Sequence, residues 1–191
     1  IKRMNTSTSQ KSFLDTYVDD RVALSFSEFL DDSKPDLIHV QHCIGLGISI
    51  LEVAVEKRIP TVLFLHDFYL ICHRVHLLKP NEQPCPGPKS QSYCVDCIRS
   101  YDPSLTEVEA RNQGLRRYRY IQGLLSRIDQ IVVPSEFVKR AFQTNFPTIR
   151  NIIISPLGLD LRFAKDFQKK QSKKIRLGYF GPILPQKGVH I

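Results

Sequence analysis

The chain of 191 residues lacks any apolar stretch approaching the roughly 20 residues that a membrane-spanning helix needs. Its longest apolar run, residues 59–65, has the length of a strand and is followed by His66 and Asp67. A signal-like N-terminal stretch is also missing, so disulfide bonds are not the first expectation for its thiols. No Gly-x-Gly-x-x-Gly fingerprint occurs, which disfavours a dinucleotide-dependent dehydrogenase. We therefore expect a cytoplasmic chain, with at most peripheral contact at the inner face of a membrane.

Composition indicates an ordinary globular domain, because 42% of the residues are hydrophobic and this is enough to build a core. The net charge is +8, which can favour nucleic acid, an anionic membrane or an anionic substrate. The basic residues are scattered, and their densest group lies in a polar stretch at 169–176. We interpret that stretch as a solvated linker, with contact to a membrane surface or to nucleotide phosphate as alternatives. Nucleic acid is not expected as a partner.

Hydrophobic periodicity predicts alternating strands and helices. Val22, Phe26, Phe29 and Leu30 share one face of an amphipathic helix, and short apolar runs bounded by turn residues predict strands. Strand and helix in alternation predict an α/β fold with a parallel sheet and crossover helices. The predicted strands cover 36–40, 61–65, 130–133, 151–154 and 175–180, and the later helices cover 45–58, 107–126 and 136–144.

The ends of the predicted strands show where a ligand would bind. In open parallel sheets, ligands bind outside the carboxyl ends of the strands. These ends carry His42, the pair His66 and Asp67, Ser135, Gly158 and Gly181.

Four of the five cysteines lie in one irregular segment, residues 68–103, which we call the cysteine segment. Their spacing is Cys-x12-Cys-x8-Cys-x2-Cys, and the last pair has the spacing of a zinc knuckle. A structural zinc ion would stabilise a Pro-rich segment with few apolar anchors. Free or redox-active thiols, disulfides and an iron–sulfur cluster are the alternatives. The predicted ligands are Cys72, Cys85, Cys94 and Cys97, with His73 or His76 as a possible replacement for one of them. The fifth cysteine, Cys43, is predicted to be a core residue.

Four segments, taken in order, resemble glycosyltransferase family 4, whose members have the GT-B fold. Residues 66–72 (HDFYLIC) resemble its HD-aromatic segment, and residues 129–137 resemble its strand followed by a Pro-Ser turn. Residues 155–160 (SPLGLD) are similar to its P-N-G-I/V-D junction, and residues 178–188 to its donor loop G-x-x-G-R-L-x-x-x-K-G. Two departures occur: Pro182 stands where the family has Arg, and Leu157 where it has Asn.

The resemblance implies a Rossmann-like parallel sheet with helices on both faces. Residues 1–155 would form the acceptor-side domain, lacking its first strand or strands, with the cysteine segment as an insertion. Residues 156–174 would be a linker, and 175–191 the first strand and loop of the donor-binding domain. Because Ile1 is not a start methionine and the family's E-x7-E motif is missing, we expect a fragment that is inactive alone.

The activity implied is transfer of a sugar, with retention of configuration, from a nucleotide-diphosphate sugar to a glycan or lipid-linked acceptor, as in polysaccharide biosynthesis. His66 and Asp67 would be catalytic. Lys187 would hold the diphosphate, helped by backbone N–H groups at Gly181 and Gly188. Further ligand contacts could come from Gly45, Gly47, Ser135 and Gly158.

Simpler structural roles compete with several of these assignments. Ser135 is placed to cap a helix, Lys187 could be an ordinary exposed lysine, and His66 could be satisfied at its strand end. Asp67 could bind acceptor, cap the next segment or orient His66.

Two other functions compete with glycosyl transfer. One is a zinc-stabilised binding module without enzymatic activity, gripping an anionic partner with the basic, Tyr-rich stretch 116–120. The other is a thiol redox protein using Cys94 and Cys97, which is disfavoured because the pair follows a loop rather than opening a helix after a strand.

Overall fold

The computed structural model of the chain describes residues 12–89, 92–158, 160, 162, 174–184 and 187–189. The chain divides into two compact units, Ile1–Ser155 and Pro156–Ile191. All helices and strands found among the described residues lie in the first unit. None of the described helices is long and apolar enough to cross a bilayer.

A four-stranded parallel sheet forms the centre of the first unit, as the alternating sequence pattern predicts. Its strands are β1 (Ile38–Val40), β2 (Thr61–Phe64), β3 (Gln130–Val133) and β4 (Ile152–Ile154), and they lie side by side in chain order. In the shared register, Val40 lies beside Leu63, Leu63 beside Ile131, and Ile131 beside Ile152. The chain therefore has the predicted α/β, Rossmann-like fold.

Five α-helices accompany the sheet within the part of the chain that the structure describes. They are α1 (Asp20–Ser33), α2 (Ser49–Glu56), α3 (Val95–Tyr101), α4 (Glu107–Leu125) and α5 (Glu136–Asn145). Helix α1 packs on α2, α3 packs on α4, and α5 contacts β3 and β4. Each β–α–β connection in this order is the crossover that a parallel sheet requires.

The two faces of the sheet differ in burial. Val40, Leu63 and Ile131 share one face and are between 0% and 7% exposed. The other face carries His39, which is exposed, and Phe64, which is half-buried. The deepest part of the core thus lies on the first face, and the second face stays accessible towards the carboxyl ends of β1 and β2.

Helix α4 begins with a capping box. The hydroxyl of Thr106 accepts from the backbone N–H of Glu109, and the Glu109 carboxylate accepts from the backbone N–H of Thr106. Both bonds satisfy amides that a helix start otherwise leaves without partners.

Replacing Thr106 with alanine should lower the free energy of unfolding by about 1 kcal/mol, because the cap bond to Glu109 is lost. Urea unfolding followed by circular dichroism measures this change. Thr106→Ser keeps the hydroxyl and should lie close to wild type; equal losses in both variants would contradict the capping role.

Three elements differ from the sequence-based prediction. Helix α2 begins at Ser49 rather than at Gly45, because Gly45 and Gly47 have φ of 79° and 80° and right-handed helix requires negative φ. The cysteine segment, predicted to be irregular, contains α3. The fifth strand predicted over 175–180 is not formed among the described residues, and Phe180 is 100% exposed. A strand needs a neighbour to pair its backbone groups, and no described residue pairs with this segment.

Candidate functional site

The loops that follow β1 and β2 are tied together by a histidine–aspartate pair. His42 Nε2 lies 2.5 Å from Asp67 Oδ2, with side chains 38% and 30% exposed. The other oxygen of Asp67 accepts from the backbone N–H of Tyr69 at 2.8 Å. Both carboxylate oxygens of Asp67 are therefore occupied. The bond to Tyr69 fits the capping role among the three predicted for Asp67, and the histidine that Asp67 contacts is His42 rather than His66.

The protonation pattern of His42 follows from its two neighbours. The backbone N–H of Ile44 donates to Nδ1 at 2.9 Å, so Nδ1 must carry a lone pair. Nε2 then carries the proton and donates it to Asp67. Both ring nitrogens are occupied, and the pair holds the two loops in one arrangement.

His66 is held differently from His42, and it keeps one nitrogen open. Its Nε2 lies 2.7 Å from Gln41 Oε1, and its ring stacks on Phe64 with centroids 4.2 Å apart and an interplanar angle of 14°. The Gln41 amide lies 2.8 Å from Nε2 of His39, which orients the amide nitrogen towards His39 and the oxygen towards His66. In the neutral ring, Nδ1 of His66 is therefore an acceptor, and it bonds to no described residue.

A cleft of about 400 Å³ lies next to the Asp67 loop. Gly45 lies at its wall, and its φ of 79° suits glycine; ligand contact at this residue stays a prediction. Burial, reinforced by Arg117 and Arg74, lowers the pKa of His73 to about 3, so this wall residue is neutral near pH 7. Arg74 supplies the cleft with a positive charge, and Ser100 with a hydroxyl.

Gly47 and Ser135 serve the fold. A β-carbon on Gly47 would lie 3.0 Å from the backbone nitrogen of Asp19, so this glycine allows close approach to the start of α1. The hydroxyl of Ser135 accepts from the backbone N–H of Val138 and caps α5, which is the simpler structural role predicted for this residue. Ligand contact at either residue stays a prediction.

The predicted donor-side residues belong to the second unit, which is described by itself. Gly181 has φ of 147° and Gly188 has φ of 66°, both in the region that favours glycine. Lys187 is exposed, and its backbone N–H donates to Leu184 O at 2.9 Å. Gly158 is exposed, with no atom within 4 Å of a β-carbon built there. Diphosphate binding by this unit stays a prediction.

The four cysteines of the cysteine segment line one small cavity together and are all unpaired thiols. Burial and the neighbouring thiols raise the pKa of Cys94 to about 12 and that of Cys97 to about 11. Among the residues that the structure describes, no three His, Cys, Asp or Glu side chains lie close enough together to hold a metal ion in their present orientations. Zinc therefore stays a proposal. Cys43 is a core residue as predicted, 4% exposed, and burial raises its pKa to about 12.

The same geometry bears on the redox alternative. Cys94 is the N-cap of α3 and Cys97 lies inside it, so the pair opens a helix, but turn residues rather than a strand directly precede that helix, in line with the predicted objection. The raised pKa values nevertheless leave little thiolate near pH 7, and the thiolate is the form that attacks disulfides. A redox role is disfavoured for this reason as well as for the predicted one.

The basic stretch 116–120 does not form the exposed surface that an anion-binding module would need. Arg117 and Tyr118 are each 5% exposed, and the Tyr120 hydroxyl donates to Glu52 at 2.7 Å. Only Arg116 and Arg119 face solvent. The sequence did not predict this burial, because Arg-rich helices usually expose their charges. The available signal was the helical spacing of Ala110, Gly114, Arg117 and Ile121, which places Arg117 on the same face as small and apolar residues.

Comparison with known proteins agrees with the geometry. The family model described as Glycosyltransferase Family 4 matches residues 10–163, which is most of the chain. No curated protein and no solved structure matches the chain. The matched range includes the whole parallel sheet and both histidine-bearing loops at its carboxyl edge. The chain belongs to glycosyltransferase family 4.

Proposed function

We propose that this glycosyltransferase uses a nucleotide-diphosphate sugar and transfers the sugar, with retention of configuration, to a glycan or lipid-linked acceptor. The observation that carries the proposal is the environment of His66. Its ring is exposed at the carboxyl edge of the sheet, supported by Phe64 and Gln41, and has one nitrogen open to a ligand. The resemblance of residues 66–72 to the family's HD-aromatic segment implies that this position faces the reacting sugar.

Departure of a nucleoside diphosphate is the hard step of such a transfer. Negative charge develops on the leaving group, and fixed donors and cations must stabilise it. In the proposal, Lys187 supplies a point charge, and Gly181 and Gly188 let backbone N–H groups approach the phosphates closely. With Pro182 in place of the family's Arg, a larger part of this stabilisation falls to Lys187 and the backbone.

The role proposed for His66 is to bind the reacting sugar. Its Nδ1 can accept a hydrogen bond from a sugar hydroxyl, because the Gln41 contact keeps the proton on Nε2. Asp67 acts as a positioning residue, since its carboxylate is shared between His42 and the backbone of Tyr69. This differs from the direct catalytic role predicted for Asp67 from the sequence.

The acceptor is proposed to bind in the cleft beside the Asp67 loop. A volume of about 400 Å³ lies within the range of small-molecule sites. Arg74 would attract an acceptor that carries phosphate, such as a lipid-linked intermediate, and Ser100 can bond to a sugar hydroxyl. A lipid-linked acceptor would bring the cytoplasmic enzyme to the inner face of a membrane.

The proposal is tested with the full-length protein and a panel of uridine, guanosine, adenosine and thymidine diphosphate sugars. Lipid extract and mixed oligosaccharides serve as acceptors, and release of nucleoside diphosphate is followed. We expect turnover with at least one donor and, by NMR of the product, the same anomeric configuration as in that donor. Absence of both turnover and calorimetric binding for every donor would contradict nucleotide-sugar dependence, and an inverted product would contradict retention.

A further inference from the structure

The cysteine segment brings four thiols from three separate places to one cavity. Cys72 lies in the turn after β2, Cys85 on the return arm of a short hairpin, and Cys94 and Cys97 at the start of α3. The cavity that they line has a volume of about 20 Å³, which is room for one water-sized occupant. That space suits a single ion and is far too small for an iron–sulfur cubane.

The segment has little regular structure to hold those thiols in place. Its hairpin consists of one isolated bridge between Leu78 and Pro84, with the N–H of Cys85 donating to Leu77 O at 2.8 Å. Six of the eight described non-glycine residues with positive φ lie here, three of them consecutive at 92–94. Such backbone persists only where surrounding contacts enforce it. A cross-link at the thiols would supply that constraint.

A buried positive charge lies beside the same thiols. Arg117 is 5% exposed, and its guanidinium donates to the carbonyl oxygens of Tyr69 and Ile71, next to Cys72. Its Nε has no hydrogen-bond partner, and no described carboxylate forms an ion pair with it. Contacts with the rings of Tyr17 and Tyr69 compensate only part of the charge. A buried charge normally has a counter-charge nearby.

We propose that Cys72, Cys85, Cys94 and Cys97 bind one structural Zn²⁺ ion, and that Arg117 neutralises part of the charge of this centre. Four thiols release four protons as the ion binds, and the resulting tetrathiolate centre carries a net charge of about −2. As placed, the side chains do not stand in ligand geometry, so binding requires the sulfur atoms to turn into the cavity. The proposal does not rest on the proposed transferase function, although Cys97 also lines the 400 Å³ cleft and so links the two sites.

Metal content is the first test. The full-length protein, purified without added metal or chelator, is analysed for zinc and iron by mass spectrometry. We expect about one zinc ion per chain, and chelator-treated protein should lose thermal stability and regain it with added zinc. The proposal would be overturned if the purified protein contained no zinc and the chelator-treated protein bound neither zinc nor cobalt(II). Iron with sulfide in place of zinc would overturn it too.

Matched variants assign the ligands and the role of Arg117. Cys97→Ser should lose the zinc, whereas Cys43→Ser, a buried cysteine outside the cavity, should keep it. If Cys97→Ser fails to fold, the ligands are identified in the wild-type protein instead. Cobalt(II) is bound in place of zinc, and the intensity of the thiolate-to-cobalt absorption reports how many thiolates coordinate it. In competition with a chelator, Arg117→Met should hold zinc about tenfold more weakly, while the exposed neighbour Arg116→Met should match wild type. Equal zinc affinity in both arginine variants would remove Arg117 from the proposal.

Discussion

Replacing Gly114 with alanine is expected to lower the free energy of unfolding by about 3 kcal/mol, although alanine is the better helix former. A β-carbon at Gly114 would lie 1.7 Å from the carbonyl oxygen of Tyr93 and 3.1 Å from Ile98 Cδ1. The first obstacle is backbone, so it cannot be avoided by rotating a side chain. To make room for the added methyl group, either α4 must shift away from Tyr93 or the cysteine segment must separate from α4. Urea unfolding measures the loss.

Gly123 on the same helix provides the control. No atom lies within 4 Å of a β-carbon built there, so Gly123→Ala meets no obstacle. This variant should be more stable than wild type by about 0.5–1 kcal/mol, because glycine loses more backbone freedom on folding than alanine. Opposite signs for two identical substitutions on one helix would identify packing as the cause. Two similar values would contradict the close approach of Tyr93.

Removing the imidazole of His66 is expected to lower kcat/KM of the full-length transferase by about 10²- to 10³-fold, the range typical of groups that act on the reacting centre. Stability should change little, because the ring is exposed. His66→Ala is compared with wild type using the donor found in the nucleotide-sugar panel. Circular dichroism verifies that the fold is unchanged.

Two further variants make this result specific. Gln41→Leu keeps His66 but removes the amide that orients it, so a loss of about tenfold is expected, smaller than that of His66→Ala. His76→Ala removes an exposed histidine that lines neither the cleft nor the thiol cavity, and its kcat/KM should match wild type. A His66→Ala enzyme with wild-type kcat/KM would mean that the reacting sugar binds elsewhere.

The strands of this fold were predictable because a parallel sheet buried by helices requires short apolar runs, and those runs are plain in the sequence. The start of α2 was misplaced because helical periodicity continues through Gly45 and Gly47, whose positive φ depends on local packing. Helix α3 was missed because proline and cysteine dominate its surroundings. The segment at 175–180 has a strand-like pattern, but pairing depends on a neighbour that sequence pattern cannot supply.

The candidate site was predictable at the level of residues and not at the level of contacts. The rule that ligands bind at strand ends singled out His42, His66 and Asp67. Which histidine pairs with Asp67 depends on how the two loops turn, and the structure pairs His42 with it. The orientation of Gln41 depends in turn on His39, a residue of the strand itself. Such relationships arise from three-dimensional packing, and no spacing in the chain encodes them.

The way the cysteine segment is seated on two helices constrains how this domain can diverge. Tyr93 touches α4 at Gly114, and Gly87 lies against Asn145 at the end of α5. A homologue with a short turn in place of the segment would leave both spaces empty and could carry larger side chains on the two helices. Segment length and these helix positions should therefore change together across homologues. Deletion of the segment without such larger side chains would leave a hole in the helix layer.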